Sequence, residues 1–123
     1  TSLSLPVDEV SIQMCMTIMF NPQATDGVAC EDHLPAHTDR FRRLSMVHGP
    51  QTLFATLKRF LVNSQNKIEK VSTPIDISRS LGVRCVDASG KESFACYDLL
   101  GVVAHLGEDG AGHNVCATRR EDE

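Results

Sequence analysis

Along the chain the spacing of apolar positions changes several times, and each change marks an element. In TSLSLP, residues 1–6, Leu3 and Leu5 alternate with small polar residues and the run stops at Pro6, which predicts a short strand. The period then lengthens. Ile12, Cys15, Met16, Met19 and Phe20 fall at i, i+3, i+4, i+7 and i+8, so they share one face of a helix that ends by Asn21-Pro22. This methionine-rich stripe reads as core packing. Asp26-Gly27 is a turn signal before Val28-Ala29-Cys30, and the polar, proline-broken EDHLPAHTD predicts loop from Cys30 to Asp39.

From Arg40 an imperfect alternation resumes through RFRRLSMVH, and Gly49-Pro50 forms a turn. In QTLFATLKRF, Leu53, Ala55 and Leu57 face one side while Phe54, Thr56 and Lys58 face the other. Residues 61–70 are polar enough to predict a hairpin loop, and KIEKVSTPIDI predicts an extended segment interrupted by Pro74. DASGKE, Asp87 to Glu92, is another turn. YDLLGVVAHLG is the most apolar stretch, and its length and valines predict a central strand buried on both faces. His113 to Arg119 then predicts a last strand, paired antiparallel across the loop from Gly107 to Gly112. One helix with six or seven strands and no repeats points to an α+β fold with a mixed or antiparallel sheet.

Composition narrows the classes. The chain has 123 residues, enough for one small domain, although its ragged start favours a piece of something larger. With 41% hydrophobic residues and a net charge of −4 it reads as an ordered, soluble globular protein. The basic residues at Arg40, Arg42, Arg43, Lys58 and Arg59 are interleaved with apolar positions and outweighed by 16 acids, so nucleic acid is not an expected partner. No apolar run is long enough to span a bilayer and the N-terminus lacks a signal-peptide layout, so neither is a membrane. Five cysteines, an odd number without scaffold-like spacing, favour a reducing intracellular compartment, cytoplasm or nucleus, with most of them buried.

Candidate chemistry is sparse. Cys30 and His33 have the C-x-x-H spacing that lets two side chains reach one zinc ion, but a closed site needs four ligands and no second pair exists, so no cofactor is expected to be required. His37 or His48 could complete the set without any spacing to recommend them. A nucleophilic cysteine needs a base within reach, and none of the five is placed for that. Two histidines remain. His105 closes one strand and His113 opens the next, with Gly107, Gly110 and Gly112 between them allowing close backbone approach to a ligand. Either histidine reads as structural at least as readily as functional on these grounds.

The order of the pieces resembles the C-terminal half of the catalytic domain of ubiquitin-specific proteases, papain-like cysteine hydrolases that cut after the C-terminal glycine of ubiquitin. TSLSLPV is similar to one of that family's strands, SIQMCMTIMF to the helix after it, and VACEDH to the second zinc-ligand pair of its fingers. HGPQTLFATLKRF, KIEKVSTPIDIS and YDLLGVVAHLGEDGAGHNVCATRR follow in family order, with LKRF and the H-x-G…G-H pair the most specific marks. The resemblance implies a fingers remnant over about residues 1–48 and a palm over about 49–123. It implies that His113 is the general base, that Gly107, Glu108, Asp109, Gly110 and Gly112 form the loop over ubiquitin's tail, and that Cys30 and His33 are half of a zinc pair. Departures accompany it. No G-N-T-C type cysteine box is present, so the resemblance implies a nucleophile on a second chain or segment and a chain inactive alone. The aspartate or asparagine that orients the histidine falls beyond residue 123. His33 stands where a cysteine is usual and Asn114 where a tyrosine is usual, which leaves an inactive scaffold or subunit of a larger assembly as the alternative.

Overall fold

Ser11 starts the helix. Its backbone is extended, and its hydroxyl accepts a hydrogen bond from the Met14 amide at 3.2 Å, satisfying one of the N–H groups that a helix start leaves unpaired. The computed structural model describes residues 2–7, 9–29, 37–108 and 111–120. Among these, helix α1 (Ile12–Met19) is accompanied by ten strands: β1 (Ser2–Pro6), β2 (Gln23–Ala29), β3 (His37–Arg42), β4 (Phe54–Lys58), β5 (Phe60–Val62), β6 (Ile68–Lys70), β7 (Ser80–Val86), β8 (Glu92–Asp98), β9 (Gly101–Leu106) and β10 (His113–Thr118). They form five two-stranded ladders: β1 with β4 in parallel, and β2–β3, β5–β6, β7–β8 and β9–β10 antiparallel. The fold is α+β with mixed strand pairing.

The core collects one or two residues from each of several elements. Leu5 of β1, Cys15 and Met16 of α1, Met46, and Val83 and Cys85 of β7 are buried together, with Ile12, Met19, Leu53, Ala55, Leu57 and Tyr97 packed around them. The predicted stripe therefore faces inward, while Met14, off that stripe, is exposed. Helix and sheet are also joined by polar contacts. The Gln13 side-chain amide donates to the Gly82 carbonyl and accepts from the Gly82 amide, each at 2.9 Å, so one residue completes both hydrogen bonds of a β7 peptide position. The Tyr97 hydroxyl donates to the Pro50 carbonyl at 2.9 Å. A Cβ on Gly49 would lie 2.7 Å from that hydroxyl.

Several local expectations are overturned. His37 to Asp39 belong to β3 rather than to a loop, and Asp26-Gly27 lies inside β2, where the register slips between Thr25 and Val28. A glycine within a strand marks a bulge as readily as a turn, and the spacing of apolar residues does not separate the two. Arg43 to Ser45 do not extend the alternation of Phe41; the only pairing nearby is the bridge from Met46 to Cys85. Residues 61–70 are not all loop. Phe60–Val62 and Ile68–Lys70 pair as β5 and β6, and the Asn63 side chain, accepting from the Gln65 and Lys67 amides at 3.0 Å each, shapes the turn with Asn66 at φ 59°. Three-residue strands are too short for alternation to show.

The apolar YDLLGVVAHLG run is broken at Leu99-Leu100 into the end of β8 and the whole of β9. It is not buried on both faces: residues of β9 are exposed or only partly buried, and Val103 keeps 69% of its surface exposed. Of the four described cysteines, all free, Cys15 and Cys85 are buried while Cys96 and Cys116 are exposed.

Candidate functional site

The β9–β10 hairpin carries both histidines, and its register separates them. Leu106 pairs with His113 and His105 pairs with Asn114. Side chains directly opposite each other share a face and successive ones alternate, so His105 and Asn114 project to one side and His113 and Leu106 to the other. His113 is exposed. Its strand neighbour Asn114 therefore points away from it and stands beside His105.

His105 is half-buried. Its ring meets Phe60 edge-on, with centroids 5.5 Å apart and planes at 74°. Its Nδ1 is buried with no hydrogen-bond partner among the described residues. Over the Nε2 side lies Gly112, where an added Cβ would sit 2.4 Å from Nε2 and 2.5 Å from the Leu106 carbonyl oxygen. Gly112 must stay a glycine because the imidazole and the backbone occupy the space of a side chain. Gly107 is needed for a second reason: its φ is +102°, in the region that L residues rarely adopt. The ends of the loop between the strands are thus both fixed as glycine, and the Ala111 amide donates to the Glu108 carbonyl at 3.4 Å across it. Glu108 is exposed. Asp109 and Gly110 lie outside the described residues.

The LKRF segment supports this hairpin from its flank. The Arg59 guanidinium donates to the Val71 carbonyl at 3.3 Å and to the Thr73 carbonyl, clamping the irregular segment that follows β6. Phe60 and Lys70 are register partners across β5–β6. From there Phe60 reaches the His105 ring, and the Lys70 ammonium donates to the His105 carbonyl at 3.2 Å and to the Gly107 carbonyl at 2.6 Å. Neither residue was singled out as functional from the sequence, where Lys70 is one lysine among several in a polar stretch.

Cys30 and His33 lie outside the described residues. Among the described residues no three His, Cys, Asp or Glu side chains come together as a ligand set. Among the described residues, Cys15, Cys85 and Cys116 offer no thiol to His113 either. Cys15 and Cys85 belong to the core. Cys116 is three residues along β10 from His113 and so faces the other way. An open cleft lined by Arg79, Leu100, Gly101 and Arg119 lies at the opposite end of the hairpin, away from His113.

This arrangement, an exposed histidine opening a strand beyond a loop with obligate glycines at its ends, coincides with a family match: residues 6–123 fit the family model for ubiquitin carboxyl-terminal hydrolase. The chain belongs to that family. Among solved structures, this hydrolase-family chain is similar to one in the yeast SAGA DUB module with a mutant Sgf73, with TM-score 0.81 and 20% identity over 98% of this chain and 27% of that one. It is likewise similar to a chain in the SAGA Ubp8/Sgf11/Sus1/Sgf73 DUB module bound to ubiquitin aldehyde, with TM-score 0.79 and 20% identity over 98% of this chain and 28% of that one. A SAGA DUB module bound to monoubiquitin matches with TM-score 0.79 and 20% identity, over 98% and 27% of the respective chains. At such identity the likeness is one of fold. The hydrolase-family chain spans less than a third of the length of these relatives. No curated protein matches it. Among the described residues no helix is long and apolar enough to cross a membrane.

Proposed function

We propose that this chain supplies the general base of a thiol-dependent deubiquitinating enzyme, with His113 as that base and the nucleophilic cysteine on a segment or partner chain outside residues 1–123. The observation that carries the reading is the division of labour on one hairpin. His105 is spent on packing against Phe60 and Gly112, whereas His113 is exposed at the first position of β10. In the reaction, His113 takes the proton of the cysteine thiol, the thiolate attacks the carbonyl carbon of ubiquitin's last glycine, and the imidazolium gives the proton to the leaving amine as the thioester forms. Water then hydrolyses the acyl-enzyme by the same base. Gly107, Glu108, Asp109, Gly110 and Gly112 form the loop that faces ubiquitin's tail; a Gly-Gly tail is selected by a channel too narrow for side chains. Free, exposed Cys96 and Cys116 suit a reducing compartment. Solved structures of the Ubp8 module are described as bound to ubiquitin aldehyde and to monoubiquitin, which supports ubiquitin as the ligand.

A second reading, an inactive ubiquitin-hydrolase-like subunit, is favoured by Asn114 in the place of the family's tyrosine. One experiment separates the two. The native assembly containing this chain is treated with ubiquitin bearing a C-terminal electrophile, as wild type and as His113→Ala. Labelling of a cysteine that slows by about 10²–10⁴-fold in the variant supports the enzyme, that range being the usual contribution of a general base. Absence of labelling in an intact wild-type assembly supports the inactive subunit.

A further inference from the structure

Among the described residues strand β9 has a strand partner on one edge only, which leaves carbonyls on its other edge to be satisfied by something other than a strand. At the loop end of β9 that something is a single ammonium. Lys70 is the last residue of β6, held in register opposite Phe60, and it donates to the carbonyls of His105 and Gly107 on either side of Leu106. Leu106 is the residue that pairs with His113. Lys70 thus grips the chain at the step where it leaves β9, next to the glycine whose φ of +102° turns the backbone into the loop.

We propose that Lys70 is a positioning residue for His113: it fixes the exit of β9, and through the Leu106–His113 pair it fixes where the imidazole stands. This rests on the reading of His113 as the base. The physical case is geometric. A cation bound to two carbonyls two residues apart restrains both peptide planes at once, and such charge-assisted hydrogen bonds are stronger than those between neutral groups. Phe60 holds the same site through the side chain, by its edge contact with the His105 ring. The β5–β6 hairpin is then a bracket with two arms, one apolar and one charged, closing on His105 from its ring and from its backbone. Without the charged arm, the His105 and Gly107 carbonyls turn to water, the turn at Gly107 loosens, and the base is less often in place.

The test uses the native assembly containing the full-length protein, with Lys70→Met to keep the aliphatic stem and Lys70→Arg to restore two donors. Two readings are taken: steady-state cleavage of a ubiquitin C-terminal amide, and amide hydrogen exchange over residues 106–108 and 111–114. For Lys70→Met we expect kcat to fall by about tenfold with KM nearly unchanged, as for a misplaced catalytic group. We also expect exchange in those residues to quicken while β7–β8 stays as protected as in wild type. Lys70→Arg should recover most of both. Unchanged exchange at 106–114 in Lys70→Met overturns the proposal, as does an equal rise across β7–β8, which would mark a general loss of stability. If wild type cleaves nothing, the reading of His113 as a working base fails, while the exchange measurement still decides whether Lys70 holds the hairpin's end.

Discussion

A single methyl group on Gly112 would have nowhere to go: its nearest neighbours would be His105 Nε2 and the Leu106 carbonyl, both within 2.5 Å. The backbone oxygen cannot move without disturbing the pairing of Leu106 with His113, and the ring is held by Phe60. Gly112→Ala should therefore cost about 1–3 kcal/mol, the usual range for overpacking, and lower the melting temperature by several degrees. It should also reduce labelling by the ubiquitin electrophile, because the strain falls beside His113. A variant with unchanged melting and unchanged labelling would show that the loop rearranges freely around the extra carbon. The two histidines illustrate where sequence reading stops. Both stand at strand ends next to glycine, and only the register, which places His105 opposite Asn114, assigns one to packing and one to solvent.

Among the elements, α1 and β4 were the most legible. Runs of consistent period, Ile12 to Phe20 and Leu53 to Lys58, leave little choice of face, and Cys15, Met16, Ala55 and Leu57 turn inward as their spacing requires. The β2–β3 and β5–β6 hairpins were hidden, the first by a bulge disguised as a turn and the second by strands of three residues. Their pairing is decided by neighbours far along the chain, which local pattern does not encode. The β7–β8 hairpin shows how polar residues hold an element whose outer face is wet. The Ser89 hydroxyl, with the amides of Lys91, Ser89 and Gly90, holds the Asp87 carboxyl below its ordinary range. A hydrogen bond from Arg84, then its charge, does the same for Glu92 at the other side of the turn. A depressed carboxyl keeps its contribution above the unfolded value, about 4, and loses it as pH falls through the folded value. Acidification from about pH 5 to about pH 2 should thus shift the Ser89 and Lys91 amide resonances together and lower their protection relative to a free amide at the same pH. In Asp87→Asn that titration should vanish; its persistence would mean that another group anchors the turn. High salt should weaken the Glu92 arm more than the Asp87 turn, whose holding contacts are short hydrogen bonds.

Over the whole molecule, apolar side chains remain uncovered on several ladders: Phe54 on β4, Leu61 and Val62 on β5, Phe94 on β8 and Val103 on β9. Large exposed apolar residues in such numbers are characteristic of surfaces that meet another surface. The 123-residue chain on its own should self-associate at concentrations on the order of tens of micromolar, as read by sedimentation velocity, and a monodisperse monomer there would contradict this. The parallel ladder has a different consequence. Leu5 is fully buried, yet its strand pairs with residues 54–58. During synthesis β1 emerges well before the strand it pairs with and lacks that backbone partner until Lys58 has cleared the ribosome, so this piece of the core must wait, apolar and unpaired, for residues about fifty positions further on.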